Sequence, residues 1–431
     1  MDTDSIRFVH MADVHLGFRQ YGLVERAADF SRAFESAINY CVEVKPDFVV
    51  IAGDLFDAKS IDPHTYSDAD TALARLSDAG IPVVANEGNH ERWFRRGDHS
   101  WLWQLSRHGR LRLLRQFDPV TGSLQADPWT PERGFGAYTD IGPTRIYGIE
   151  YLGVRLSAHV AEIATSLAAI PRANVRYVVG VMHTGIDDAF EHGAGGLTLE
   201  HLEPVSTFTN YLALGHVHYA YQWPVVAPWV FNPGSLEAHT MVEGLVGETA
   251  DGHGRVRGLF DVKIGLNRPD VIEAKFRDDV LVRRAFQRVT VDVTDALDFD
   301  ELIALVERGV VAGTRQTDEP PVVELRLIGR LQFERLQLET ERLELIVREA
   351  LEVLHVRVTM HFRSTGTPVE LSDTVSTRQE VERDVVRRLI EASPHADQAD
   401  AISTAALDLK AAALEGRSAE DMAAHLERTL S

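Results

Sequence analysis

Residues 47–57 read DFVVIAGDLFD. The apolar, β-branched run 48–52 has the pattern of a parallel strand buried on both faces. Gly53 then allows a turn without a Cβ, and Asp54 stands just past the strand end. In open α/β sheets, ligands gather outside the carboxyl ends of the strands, and a carboxylate at that point can bridge two cations. G-D after a strand is a common pairing. What gives it weight here is that other apolar runs end in comparable groups: Asp13 and His15 in HMADVHLG, Asn89 and His90 in EGNHE, His183 in VMHTG, and His216 and His218 in LGHVH.

Asp13, His15, Asp54, Asn89, His183, His216 and His218 make seven candidate ligands of carboxylate, amide and imidazole type, with no thiolate. That donor set suits Mn²⁺, Fe or Zn²⁺ better than Ca²⁺ or a structural zinc site. Seven ligands exceed one tetrahedral ion and suit two ions sharing a bridge. Two metals roughly 3.5–4 Å apart serve in-line displacement at phosphorus, so phosphoester hydrolysis is the expected reaction class. His10, His64, His159, His355 and His361 lack a Gly- or Asp-flanked setting and read as core or surface residues.

The ordered motifs DVH, GDLFD, GNHE, MHTG and GHVH resemble the calcineurin-like metallophosphoesterase superfamily over about residues 6–264. More narrowly, HMADVHLGFRQ, the GDLFD spacing, GHVH and NPGSLE resemble the DNA-repair nucleases of the bacterial SbcD and archaeal and eukaryotic Mre11 type. The resemblance implies a sandwich of two mixed sheets flanked by helices. It implies one metal on Asp13, His15, Asp54 and His218, a second on Asp54, Asn89, His183 and His216, and His90 as the group that stabilises or protonates the leaving oxygen. It further implies two Mn²⁺ (Mg²⁺, Fe or Zn²⁺ as alternatives), cleavage of DNA ends and single strands, a homodimer, and an SMC-like coiled-coil ATPase partner of the SbcC type. One departure stands out. Many members carry His three residues after the bridging Asp, where this chain has Asp57. An aspartate there can orient His90 and raise its pKa, but cannot donate to a phosphate at neutral pH. Ala58 follows it, where protein phosphatases want an arginine.

The rest of the 431-residue chain is long enough for two or three domains. The expected division is 1–283 for the phosphoesterase domain, 284–365 for a βαβαβ capping domain that binds DNA, and 366–431 for a linker and helical tail that binds the ATPase. Loop 93–103, WFRRGDHSWLW, interleaves aromatics and arginines, which makes Trp93, Arg95 and Arg96 candidate DNA contacts. Leu73, Trp101 and Leu105 are candidate dimer anchors. In the tail, Thr377 and Glu380 have capping-box spacing and Val381, Val385 and Leu389 fall on one helical stripe, a candidate partner face.

The net charge is −21, from 65 acidic and 44 basic residues, five of the latter lysine. Such a surface disfavours non-specific nucleic-acid binding over the bulk of the protein, though bound cations can invert the field locally. The acid-rich, lysine-poor composition fits both a salty cytosol and a base-composition bias. With the single Cys41 no disulfide framework exists. The opening MDTDSIRF is not signal-like, so a cytoplasmic, nucleoid-associated protein without a membrane span is expected. The competing readings are a small-substrate phosphodiesterase or phosphatase on the same core, and a metal-free scaffold. Some 160 residues beyond the core disfavour the first, and the complete ligand set disfavours the second.

Overall fold

The structure is a computed structural model that describes residues 5–92, 99–172, 174–189, 196–245, 256–269, 271–313 and 316–362. Further on it describes residues 383, 386–388, 390–391 and 398–414. It divides into two compact units, Met1–His361 and Phe362–Ser431.

The first sheet of the larger unit has β1 (Ser5–Met11), β2 (Phe48–Ala52), β3 (Val83–Asn86) and β4 (Arg112–Leu113) in parallel. A second sheet is built on β5 (Tyr138–Ile141), β6 (Thr144–Ile149), β7 (Tyr177–His183), β8 (Tyr211–Gly215), β9 (Tyr221–Trp223) and β10 (Val230–Asn232). Of these, β6, β7, β8 and β10 run parallel, with β5 and β9 as antiparallel edges. Returning to the first sheet, β11 (Leu259–Gly265) and β12 (Ile272–Arg277) close its free side antiparallel. All five residues of β2 and all seven of β7 are buried, as the continuous apolar runs require.

The inner faces of the two sheets meet in one aromatic layer. Phe8 stacks on Phe48 at 4.9 Å and meets Tyr211 of the other sheet edge-on at 5.0 Å. Each such ring contributes about 1.5–3 kcal/mol by burial. His10 is part of this layer, with its ring nitrogens on the Tyr211 hydroxyl and the Leu214 carbonyl. The outer faces carry helices: α1 (Val24–Val44), α2 (Pro63–Asp78) and α3 (Trp101–Arg107) on the first sheet, α4 (Leu156–Ala168) and α5 (Leu199–Ser206) on the second. The start of α2 lies earlier than its apolar spacing suggests, because Asp62 accepts from Thr65 N–H at 2.8 Å and Pro63 takes the first helical position. Conversely, the apolar residues 225–229 do not form a strand. Pro224 and Pro228 lack ladder donors and Ala227 has φ 53°, so pairing is confined to Val230–Asn232.

Leu73 and Leu105, read above as dimer anchors, are fully buried in the protomer's own core against the first sheet. Of the three residues only Trp101, 38% exposed, faces outward. A helical stripe marks a buried face without saying whose neighbour buries it.

After a short α6 (Met241–Gly244) the chain forms a three-stranded sheet of β13 (Phe286–Asp292), β14 (Val322–Gly329) and β15 (His355–Phe362), with α7 (Phe299–Gly313) and α8 (Thr340–Ala350). A buried polar knot ties this sheet to α1. Arg284 forks onto Asp29 (2.5 and 2.8 Å), which also holds the fully buried Arg26 (2.5 Å), and Arg26 reaches Glu237 (3.1 Å). In the second unit the helix Ala399–Leu414 is described. Val381, Val385 and Leu389 lie outside the described residues. Among the described residues no helix is long and apolar enough to cross a membrane.

Candidate metal centre

Parallel strands β1, β2, β3, β7 and β8 end on one edge of the sandwich, and each releases its candidate ligands there. The loops after β1 and β2 zip together by backbone bonds: Val14 N–H and His15 N–H on the Asp54 carbonyl (2.9 and 3.0 Å), Leu16 N–H on the Leu55 carbonyl (2.9 Å). Asp13, His15, Asp54 and His216 all have left-handed φ, between 50° and 90°. Such non-glycine geometry costs on the order of 1–3 kcal/mol per residue and gathers at functional sites.

Two donor groups converge. In the first, His15 Nε2 and His218 Nε2 are 3.1 Å apart, with Asp13 within reach of both. In the second, His183 Nε2 lies 3.0 Å from Asp54 Oδ2 and 3.0 Å from Asn89 Oδ1, and His216 Nδ1 is 2.9 Å from the same amide oxygen. Asp13 receives the His216 N–H on both oxygens and stands 4.0 Å from His183. The fold thus brings all seven predicted ligands together. Two bare imidazole nitrogens facing each other, and amide and carboxylate oxygens crowding a third, fit cations better than they fit one another. Two of the remaining ring nitrogens are engaged from behind: His183 Nδ1 on the Ala52 carbonyl (2.8 Å) and His218 Nδ1 near Glu243 (3.4 Å). This is the usual way a protein aims an imidazole at a metal.

Glycines make the space. A Cβ on Gly88 would lie 2.1 Å from Asp54 Oδ1, and one on Gly53 2.2 Å from His183 Nδ1. The electrostatics are sharply divided. Burial would lower His183, but Asp54, joined by Asp13, outweighs it and lifts the imidazole to about 9. Burial, reinforced by His183, pushes His216 down to about 4. Although burial opposes it, His183 holds the Asp54 carboxyl well below the usual carboxylate range. Glu91, buried beside Asp54, is pushed up to about 8 while accepting from Phe56 N–H and Gly88 N–H, which braces the two loops.

His90 donates its backbone N–H to Asp54 (3.0 Å), and its Nδ1 meets the Asp57 backbone carbonyl at 2.5 Å. The Asp57 carboxylate is farther from His90, at 3.7 Å, than from His15 (3.2 Å) or His239 (3.3 Å). His239, Glu243 and Tyr151, the last ring 5.8 Å from His216, were not foreseen from the chain. None carries ligand spacing. The one cue was the NPGSLE turn, which ends two residues before His239. Trp93, Arg95 and Arg96 lie outside the described residues.

Residues 6–220 match the family model of calcineurin-like phosphoesterases. The chain belongs to these metallophosphoesterases, which use a two-metal site, and it is a metal-dependent phosphodiesterase. The chain is 28% identical to the DNA double-strand break repair protein Mre11 of Archaeoglobus fulgidus over 89% of its own length and 84% of that protein. It is 29% identical to Mre11 of Methanopyrus kandleri, over 71% of this chain and 63% of that one. To Mre11 of Aeropyrum pernix it is 45% identical over 20% of this chain and 21% of that one. The last two alignments span less than two thirds of the relatives' length. Within the superfamily the chain is therefore of the SbcD/Mre11 type.

Proposed function

We propose that this chain is a two-cation DNA nuclease, exonuclease and endonuclease, that processes double-strand breaks and DNA ends. The observation that carries the reading is the meeting of two donor groups at Asp13 and Asp54, in a chain similar along most of its length to archaeal Mre11. Asp13, His15, Asp54 and His218 would hold one cation, and Asp54, Asn89, His183 and His216 the other, Mn²⁺ being the metal favoured by their oxygen–nitrogen mix. Bound there, the pair supplies Lewis acidity to a phosphodiester and lowers the pKa of water.

His90 has its own task. Its Nδ1–H is committed to the Asp57 carbonyl, so in the imidazolium form the Nε2 proton is the one it gives to the leaving oxygen. His90→Asn is expected to keep both cations and to lower kcat by about 10²–10⁴, the range for a lost general acid. Calorimetry showing a lost metal equivalent would make His90 a ligand instead.

A homodimer and an SMC-like, SbcC-type ATPase bound by the tail, with residues 284–365 as the DNA-facing cap and a nucleoid location, complete the proposal. Deleting the residues after Gly366 is expected to spare metal-dependent hydrolysis and abolish co-purification with the ATPase. Full-yield co-purification would refute the assignment of the tail. The nuclease reading itself is tested by offering end-labelled duplex DNA and a chromogenic phosphodiester side by side with Mn²⁺. Cleavage of the small ester alone would favour a small-substrate phosphodiesterase.

A further inference from the structure

The Asp57 Oδ1 atom is approached by three imidazoles: His15 Nδ1 at 3.2 Å, His239 Nε2 at 3.3 Å and His90 Nδ1 at 3.7 Å. His90 already has the Asp57 backbone carbonyl, so the carboxylate serves the other two. His15 uses its nitrogens separately. Its Nε2 points at the place shared with His218, and its Nδ1 is fully buried with no aligned hydrogen-bond partner among the described residues. A buried N–H left without an acceptor is destabilising. Asp57, close but off the ideal line, is the acceptor at hand. With the proton on Nδ1, Nε2 offers its lone pair.

A carboxylate that is partly open to solvent can turn away unless something holds it. His239 is built to hold it. Its ring lies flat on Phe18, 3.8 Å between centroids and 5° between planes, and Phe18 is itself pinned edge-on by Phe30. Its backbone N–H donates to Glu243 Oε2 at 2.8 Å, and its carbonyl accepts from Gln20 Nε2 at 2.9 Å. Main chain and ring are thus both fixed, and Nε2 is directed at Asp57.

We propose that His239 is a positioning residue which, through Asp57, locks His15 in the Nδ1–H form, so that one of the two cation positions is completed from the loop after NPGSLE. This inference rests on the two-cation reading above. The arrangement is a carboxylate–histidine–metal line with a second imidazole clamping the carboxylate, and partners of this kind typically change metal affinity 10–100-fold.

The test is calorimetric titration of Mn²⁺ into the metal-free full chain. His239→Phe keeps the face against Phe18 and removes the donor. It is expected to weaken one of two equivalents by about 10–100-fold while leaving the other unchanged. His239→Gln, which can still donate to Asp57, is expected to recover most of that loss, and Phe18→Leu to weaken the same equivalent less. Wild-type affinity for both equivalents in His239→Phe would overturn the proposal, as would equal weakening in the Phe and Gln variants, which would mean loop damage rather than a lost donor. A wild-type chain that binds a single equivalent would instead bring down the two-cation reading beneath it.

Discussion

Asp54→Asn is expected to reduce Mn²⁺-dependent hydrolysis to background, a loss of at least about 10³-fold, because the charge that both proposed cation positions would share is gone. Asparagine keeps the shape, but its NH2 would face either His183 Nε2 or the His90 N–H, each of which now finds a carboxylate oxygen at 3.0 Å. Initial rates on a labelled DNA and on a chromogenic diester, with metal content measured on the same samples, provide the check. Near-normal turnover would sink the assignment of Asp54 as the shared ligand.

The same variant has a signature without metal. Asp54 titrates below its ordinary 3.8, so its contribution is present above that pH and fades as pH falls. His183 titrates above its ordinary 6.5, so its contribution is full below that pH and fades as pH rises through about 9. The melting-temperature gap between metal-free wild type and Asp54→Asn should therefore be widest between about pH 4 and 6.5, and narrow on either side.

Gly88→Ala is the second large effect. The added methyl would meet Asp54 Oδ1 at 2.1 Å and the Asp54 backbone nitrogen at 2.6 Å. A side-chain rotation relieves the first contact and not the second, so the GNHE and GDLF loops must part. Overpacking of this kind costs about 1–3 kcal/mol in stability. The functional loss should be greater, since displacement of Asn89 and Asp54 by an ångström mistimes both donor groups. Thermal melts and Mn²⁺ titration together would report it. Unchanged metal affinity would mean that the loops yield without moving their ligands.

The candidate ligands that the fold gathers are readable in the chain because each sits where an unbroken apolar run meets glycine, aspartate or histidine. Strand burial and strand end are both local signals, and Asp13, Asp54, Asn89, His183 and His216 needed nothing more. His239 shows where that kind of reading stops. It follows no strand, and its value comes from Phe18, Asp57 and Glu243, which only the folded chain gathers around it. Leu73 and Leu105 teach the complementary point: amphipathic spacing finds an inward face, and the first sheet was already waiting for it. Residues 225–229 have a strand's apolar composition, but the prolines at 224 and 228 deny them ladder donors.

The polar knot of Arg26, Asp29, Glu237 and Arg284 bears on how such a chain can be taken apart. Glu237 is two residues from His239, while Arg284 opens the three-stranded sheet. Separating that sheet from the sandwich would take Arg284 from the buried Asp29, and losing one partner of a buried ion pair costs about 3–5 kcal/mol. The three-stranded sheet is therefore not a detachable cassette. A graft that exchanged it for another would also have to carry Asp29, Arg26 and the loop that reaches the metal centre.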